Sequence, residues 1–537
     1  MRLGKRLATT VCVILASPSG AALGALPLPY ADASHETGLR PHLADALNHA
    51  VAWGDLDADG RLDLFLGNFC DRPGKAAEQT NGLFRQTEQG AFERLAAPAV
   101  ATRGRTSGAV LADLDNDGDL DLYVNNNRHT RPSDRKAKNE PSALYRNDGG
   151  RFVNVSAASG ACPADGAFGR DVGVLDYDGD GLLDLLVIED KVFRKAGHSR
   201  LYRNLGGMRF ENVTARADLP TDLHGFGVAI GDASGDGRPD IYVCGSDRLF
   251  LGAAGGRFRE AEALRSVFDI GSRNAEEYVV GAVFGDIDND GDADLLVGTH
   301  FVPSRVRVYL NEGVADDVPR FRNVTRELGI PELPHKAATC AVRDFDNDGL
   351  PDLYWSVWFA EGKKREPFIC RGLGAGDGLP RFAVPSVDGL DMSLCRRNAV
   401  PPGKRGMVYY VDGPPVDYDG DGDFDFFAGA WPEEGSRLLR CDSPLKGNWL
   451  QVRVVGTRMN RMGIGAKVRA MSGGSLIGYR EISLSGGYSG SAPAIVHFGL
   501  GTRTSVDLEV TFPGRRQPLT RENVKANQRL VVTEPTP

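Results

Sequence analysis

The chain has 537 residues, 41% hydrophobic and 25% charged, which excludes intrinsic disorder and asks for several domains or one large repeat architecture. Its 67 glycines and 30 prolines, without the strict period of collagen, require many turns. A formal charge of −9 argues against a chain built to grip nucleic acid or an anionic membrane.

The N-terminus reads as a secretory signal over residues 1–25. Arg2, Lys5 and Arg6 precede an apolar run from Leu7 to Ala16, and small residues from Ser19 to Ala25 offer a cleavage site. Cys12 lies inside the apolar run in a poor lipoprotein context, so no lipid anchor is expected. After it, no apolar stretch reaches the roughly 18 residues of a membrane span. Localisation is therefore expected to be secreted, periplasmic or extracellular. Of eight cysteines, seven remain after Cys12, an odd number for an oxidising compartment, so at least one stays free or pairs between chains. Cys244, in the run Ile241 to Cys244, reads as a small buried hydrophobe. Cys370 and Cys395 are the nearest plausible partners, but spacing does not fix a pairing.

From residue 55 onward one nine-residue pattern, Asp-x-Asp-x-Asp-Gly-x-x-Asp, recurs seven times at intervals of 54 to 73 residues. Positions one, three, five and nine are Asp55, Asp57, Asp59 and Asp63; Asp113, Asp115, Asp117 and Asp121; Asp176, Asp178, Asp180 and Asp184. The fourth copy has Asp232, Ser234, Asp236 and Asp240, with serine as the one departure. The last three have Asp286, Asp288, Asp290 and Asp294; Asp344, Asp346, Asp348 and Asp352; Asp417, Asp419, Asp421 and Asp425.

A short apolar strand precedes each copy and another follows, as in Gly281 to Gly285 and Leu120 to Val124. About 20 residues on come a third element such as Leu144 to Asn147 and, after a glycine turn, a fourth such as Phe152 to Val155. Four short antiparallel strands repeated seven times describe a seven-bladed β-propeller over residues 28–445. The last repeat lacks its fourth strand, and Tyr30 to Ala33 matches the missing element. The N-terminal strand is therefore expected to complete the last blade and leave no long sheet edge.

Oxygen ligands at positions one, three, five and nine, a carbonyl at seven and glycine at the sharp turn suit a hard cation with six to eight oxygen ligands. Calcium is the expected ion, up to seven per chain, with magnesium second. The loop is not an EF-hand, because strands flank it and position twelve is apolar, as at Leu66. Carboxylates about 4 Å apart repel by roughly 4 kcal/mol per pair at an effective dielectric of 20, so the loops are expected to open without a cation. Setting aside the 27 loop aspartates leaves the rest of the chain at +18.

From about Gly447 the tail reads as all-β. Strands at Trp449 to Val455, Ala466 to Met471, Ile477 to Leu484, Ala494 to Phe498, Val506 to Thr511 and Arg529 to Thr533 suggest a small sandwich over residues 446–537. His497 alternates with apolar neighbours and reads as a hydrogen-bonded core histidine. The repeats resemble the FG-GAP/VCBS repeats of integrin α heads. The tail, with Asn448-Trp449-Leu450, Asn460-Arg461, Gly463 to Ala466, Val496 to Gly501 and Ala526-Asn527-Gln528, resembles the ASPIC/UnbV domain of the cartilage acidic protein family. The family pattern has an acidic residue after Asn-Arg where this chain has Met462, which removes a polar group from that turn. The resemblance implies a secreted, calcium-binding, non-catalytic protein of adhesion or extracellular binding.

If the aspartate loops occupy one face, residues just before each first strand surround the channel mouth on the other. They are His49, Arg105, Arg170, His224, Glu277, Tyr278, His335, Lys336, Tyr409 and Tyr410, and they form a candidate binding funnel or a solvated rim. The segment from Asn125 to Ser142 carries Arg128, Arg131, Arg135, Lys136 and Lys138, a flexible loop or an attraction for acidic glycans or anionic protein. Nothing there resembles a nucleic-acid module with interleaved aromatics. Asn154, Asn212 and Asn323 begin glycosylation sequons, but they share one repeat position, which explains them as well. Three functions fit. The first is a non-catalytic extracellular platform for protein or acidic glycan. The second is a polysaccharide lyase or hydrolase using His224 or His335 with Arg170, although no catalytic motif is present. The third is an accessory protein of a biosynthetic or surface-assembly cluster.

Overall fold

The computed structural model describes residues 28–44, 46–69, 80–128, 140–163, 168–190, 198–272, 277–361, 364–387, 411–429, 435–444 and 447–536. The expected signal segment 1–25, Cys12, Cys70, Cys395, Tyr409, Tyr410 and the basic residues Arg131, Arg135, Lys136 and Lys138 lie outside them. The chain is all-β, built from mainly antiparallel sheets, most of them four-stranded. The sheet of Arg105–Ala112, Asp121–Asn127, Ala143–Asp148 and Arg151–Asn154 shows the repeat. Here the stretch expected to be loop from Asn125 is strand up to Asn127, because the buried amides of Asn125 and Asn127 donate to main-chain carbonyls of the next sheet.

The apolar cores lie between consecutive sheets. Ala52 and Phe65 of the first meet Leu111 and Leu122 of the second. Leu186 and Ile188 of the third meet Ile230 and Ile241 of the fourth. Val51, Trp53 and Leu64 of the first also meet Val416, Phe427 and Leu438 of the last, so the succession closes. Closure leaves little room between inner strands, and this explains their small residues. A Cβ on Gly108 would strike the carbonyl of Arg170, and one on Gly227 that of Val280. Tyr30–Asp32 pairs antiparallel with Arg437–Cys441, Tyr30 opposite Cys441, and so ends the last sheet with the N-terminal strand.

The tail forms two sheets. Asn448–Val455 lies between Ile495–Gly501 and Gln528–Thr533. Lys467–Ser472 lies between Ser475–Glu481 and Ser505–Thr511, and Leu519–Lys525 adds an edge strand. The edge strand is absent from the sequence reading because its side chains, Thr520 to Asn523 among them, are polar and exposed and show no alternation. Ser475–Glu481 ends three residues earlier than expected. The chain then turns into the ring, where Gly490–Ser491 pairs in parallel with Val51 and Ala52 of the innermost strand Asn48–Gly54. Tyr488, at its tip, is buried with Val280 of an inner strand and with Phe226, Ala338 and Val411.

Candidate metal loops and the face that covers them

Each aspartate loop is a set of carboxylate caps on its own backbone. Asp55 accepts the N–H groups of Asp59 and Gly60, both at 3.0 Å, and Asp176 those of Asp180 and Gly181 at 3.1 and 3.0 Å. The ninth residue works across the sheet. In all seven copies its two oxygens accept one N–H from within the loop and one from the third strand; the loop donor is the second residue in six copies, as Asp294 accepts from Ile287 at 2.8 Å and Asn311 at 2.7 Å, and the third, Ser234, in the fourth. The glycine at position six has φ between 85° and 105° in every copy. Position four is left-handed as well: Ala58, Asn116, Gly179, Gly235, Asn289, Asn347 and Gly420 have φ of 57° to 78°. The sequence signal for this second turn was the recurrence of Asn and Gly there, the residues that tolerate that conformation.

The loops bring their ligand-type oxygens together. In Asp55, Asp57 and Asp63, in Asp113, Asp115 and Asp121, and in Asp176, Asp178 and Asp184, one oxygen from each lies within 4.8 Å of the others. The same holds for Asp286, Asp288 and Asp290 and for Asp344, Asp346 and Asp348. Burial, then the neighbouring carboxylates, push Asp113 up to about 6 and Asp417 to about 7. Asp113 Oδ1, Asp115 Oδ1, Asp178 Oδ1, Asp286 Oδ2 and Asp346 Oδ1 are buried and lack a hydrogen-bond partner. Such orphaned acceptors are costly in a native fold, and a cation with oxygen ligands removes the cost. The residues present fit calcium.

The tail sits on this face and touches every loop. Arg529 Nη1 donates to Gly60 O at 2.7 Å. Arg461 N donates to Asn116 Oδ1 at 3.1 Å, and Met462 Sδ accepts from Asp113 N at 3.1 Å, so the residue that departs from the family pattern still takes a hydrogen bond. The carbonyl of Arg458 lies over Gly181, and the Leu476 side chain over Gly291. Lys467 pairs with Asp232 in the fourth loop. His497 Nε2 lies 2.7 Å from Asn347 Oδ1, and Gln451 Nε2 donates to Asp417 Oδ2 at 2.7 Å. His497 is the core histidine expected, and burial with Arg480, Arg343 and Arg529 nearby lowers it to about 3.

The expected funnel residues divide. His49 is buried within Asn48–Gly54, its Nδ1 3.2 Å from Ser107 O, its ring stacked on Phe69 and edge-on to Tyr488. It belongs to the plugged interior rather than to an open mouth, a correction that follows from the tail entering the ring. Arg105 lies over Phe69, and Arg170 pairs with Asp190 and lies over Phe226. Phe226, Tyr278 and His300 form a stack with centroids 3.8 and 4.7 Å apart, and Lys336 Nζ reaches the His300 ring. Glu277 and His335 are buried, and His224 Nδ1 lies 3.3 Å from Asp222 O, so the residues proposed for catalysis are engaged separately. Among the described residues no disulfide joins Cys162, Cys244, Cys340, Cys370 and Cys441, and Cys244 is buried as expected. Asn212 and Asn323 each accept the N–H and hydroxyl of the threonine two residues on, and Asn154 the N–H of Ser156, which gives the sequons a structural role in the repeat.

Residues 456–537 match the ASPIC and UnbV family, and residues 55–124, 188–243 and 286–355 match the FG-GAP-like repeat. Cartilage acidic protein 1 of Homo sapiens is 25% identical over 487 residues, 87% of this chain and 69% of that protein. Integrin alpha-IIb of Homo sapiens is 35% identical over 164 residues, 26% of this chain and 15% of that one. A solved structure of the V. cholerae biofilm matrix protein Bap1 covers 90% of this chain and 69% of its own at 12% identity with a TM-score of 0.32, too loose to argue from. The chain thus carries FG-GAP-like repeats and an ASPIC and UnbV match in its tail, and it is similar to cartilage acidic protein 1 over most of its length.

Proposed function

We propose that residues 28–445 form a seven-bladed propeller whose aspartate loops hold calcium, that residues 446–537 are a domain capping the loop face, and that the whole is a secreted, non-catalytic platform for an extracellular protein or acidic glycan. The buried, unpartnered carboxylate oxygens of Asp113, Asp115, Asp178, Asp286 and Asp346 carry the calcium reading. Supporting the platform reading are the likeness to cartilage acidic protein 1 and integrin alpha-IIb and the absence, among the described residues, of a helix long and apolar enough to cross a membrane. With the loop face covered by the tail, the ligand is received on the opposite side, where Arg105, Arg170 and Tyr278 are partly exposed. Metal content and thermal melting of the chain, with calcium and after chelation, test the first part. Several bound ions and a large fall in Tm on chelation are expected, and an unchanged melt with no ions overturns it. Retention on an acidic polysaccharide column, weakened by Arg105→Ala, tests the second.

A further inference from the structure

The fourth loop differs from its fellows in what fills it. Its third position is Ser234 where the others have aspartate. Lys467, the first residue of Lys467–Ser472 in the tail, places Nζ against Asp232 Oδ2 in an ion pair whose side chains are only 15% and 3% exposed. Glu481, opposite Lys467 in the tail sheet, accepts the Asp232 N–H at 2.9 Å and closes the other side. The remaining oxygens are engaged. Asp232 Oδ1 accepts from Asp236 N at 3.0 Å and Ser234 Oγ at 3.4 Å, and the Asp240 oxygens accept from Ser234 N and Gly252 N, both at 2.8 Å. The second, third, fifth and sixth loops each keep a buried carboxylate oxygen without a partner, whereas among the described residues the ligand positions of the fourth, like those of the first and seventh, have none.

An ammonium is a compact cation with three donors, and it repels a divalent ion brought into the same site. We propose that the fourth loop takes no metal and that Lys467 is its built-in cation, an anchor holding the tail to the ring whether or not calcium is present. The predicted ion count rests on the calcium reading of the other loops, but the ion pair does not.

Ion counts and a double-mutant cycle on the full chain test this. In calcium, Asp286→Asn is expected to lose one ion relative to the native chain and Asp232→Asn none, while Ser234→Asp combined with Lys467→Met gains one. Loss of an ion in Asp232→Asn overturns the proposal. Melting of Asp232→Asn, Lys467→Met and the double variant is expected to be non-additive by the same amount in calcium and in chelator. Additive shifts, or a coupling that disappears in calcium, overturn it. A native chain with no ions and no response to chelator removes the calcium reading, and the cycle in chelator still decides the role of Lys467.

Discussion

Gln451 donates through Nε2 to Asp417 Oδ2, 2.7 Å away, joining the central strand of one tail sheet to the first aspartate of the seventh loop. His497, on the neighbouring strand Ile495–Gly501, reaches Asn347 of the sixth loop, and Asn347 Nδ2 donates to Gly422 O of the seventh at 2.9 Å. The tail thus takes hold of the loops through residues that fix their shape. Anything that reshapes a loop is felt at the tail interface.

The two kinds of loop aspartate separate by substitution. Asp294→Asn leaves one of two backbone N–H groups without its acceptor, and a buried unsatisfied group costs about 1 to 3 kcal/mol. That loss is expected already in chelator, and in calcium the lost ligand oxygen adds to it. Asp290→Asn keeps an oxygen for the N–H of Asp292, so in chelator it is expected to be nearly neutral and to destabilise only in calcium. Urea unfolding of both variants in both buffers measures the difference.

Tyr488 fills the meeting point of the inner strands at 2% exposure. Tyr488→Ala removes an aromatic ring from a closed core, for which large-to-alanine changes cost about 3 to 5 kcal/mol. The expected outcome is a fall in unfolding free energy of that size, read from urea denaturation, with faster proteolysis of the tail.

Burial, with Arg170 and then Arg105 adding repulsion, lowers His49 to about 3, while Nδ1 donates to Ser107 O. The folded state therefore binds this proton less readily than the unfolded chain, whose histidines titrate near 6.5. Stability attributable to His49 is complete above about pH 6.5 and falls as pH drops toward 3, by at most about 1.4 kcal/mol per unit. His49→Gln is expected to flatten that slope, read from unfolding free energies at pH 7 and pH 5.

Glu534 accepts N–H groups from Thr457, Arg458 and Met459 at 3.0, 2.9 and 3.2 Å and pairs with Arg515. Burial opposes its charge, but those bonds and Arg515 together hold the carboxyl at about 2, below its ordinary value. Its stabilisation is present above about pH 4.5 and is lost as pH falls toward 2. Glu534→Gln is expected to lower stability at pH 7 by about 1 to 3 kcal/mol, and the gap to the native chain is expected to narrow at pH 3.

Local sequence determined the repeat. The strand, loop, strand order around each aspartate set follows from short-range rules, because carboxylate caps and left-handed glycines are chosen within nine residues. The pairing of Tyr30–Asp32 with Arg437–Cys441 was legible too, since a missing strand at one end and a spare one at the other leave a single way to complete the sheet. What the tail does was not legible. That Arg529, Met462, Lys467, His497 and Gln451 each address a different loop depends on how the tail sheets dock on the ring, and no spacing rule spans the 235 residues between Lys467 and Asp232. The same docking carries Tyr488 into the ring and turns His49 from a rim residue into an interior one. Chain-local chemistry fixed which groups were available, and tertiary packing decided which of them meet.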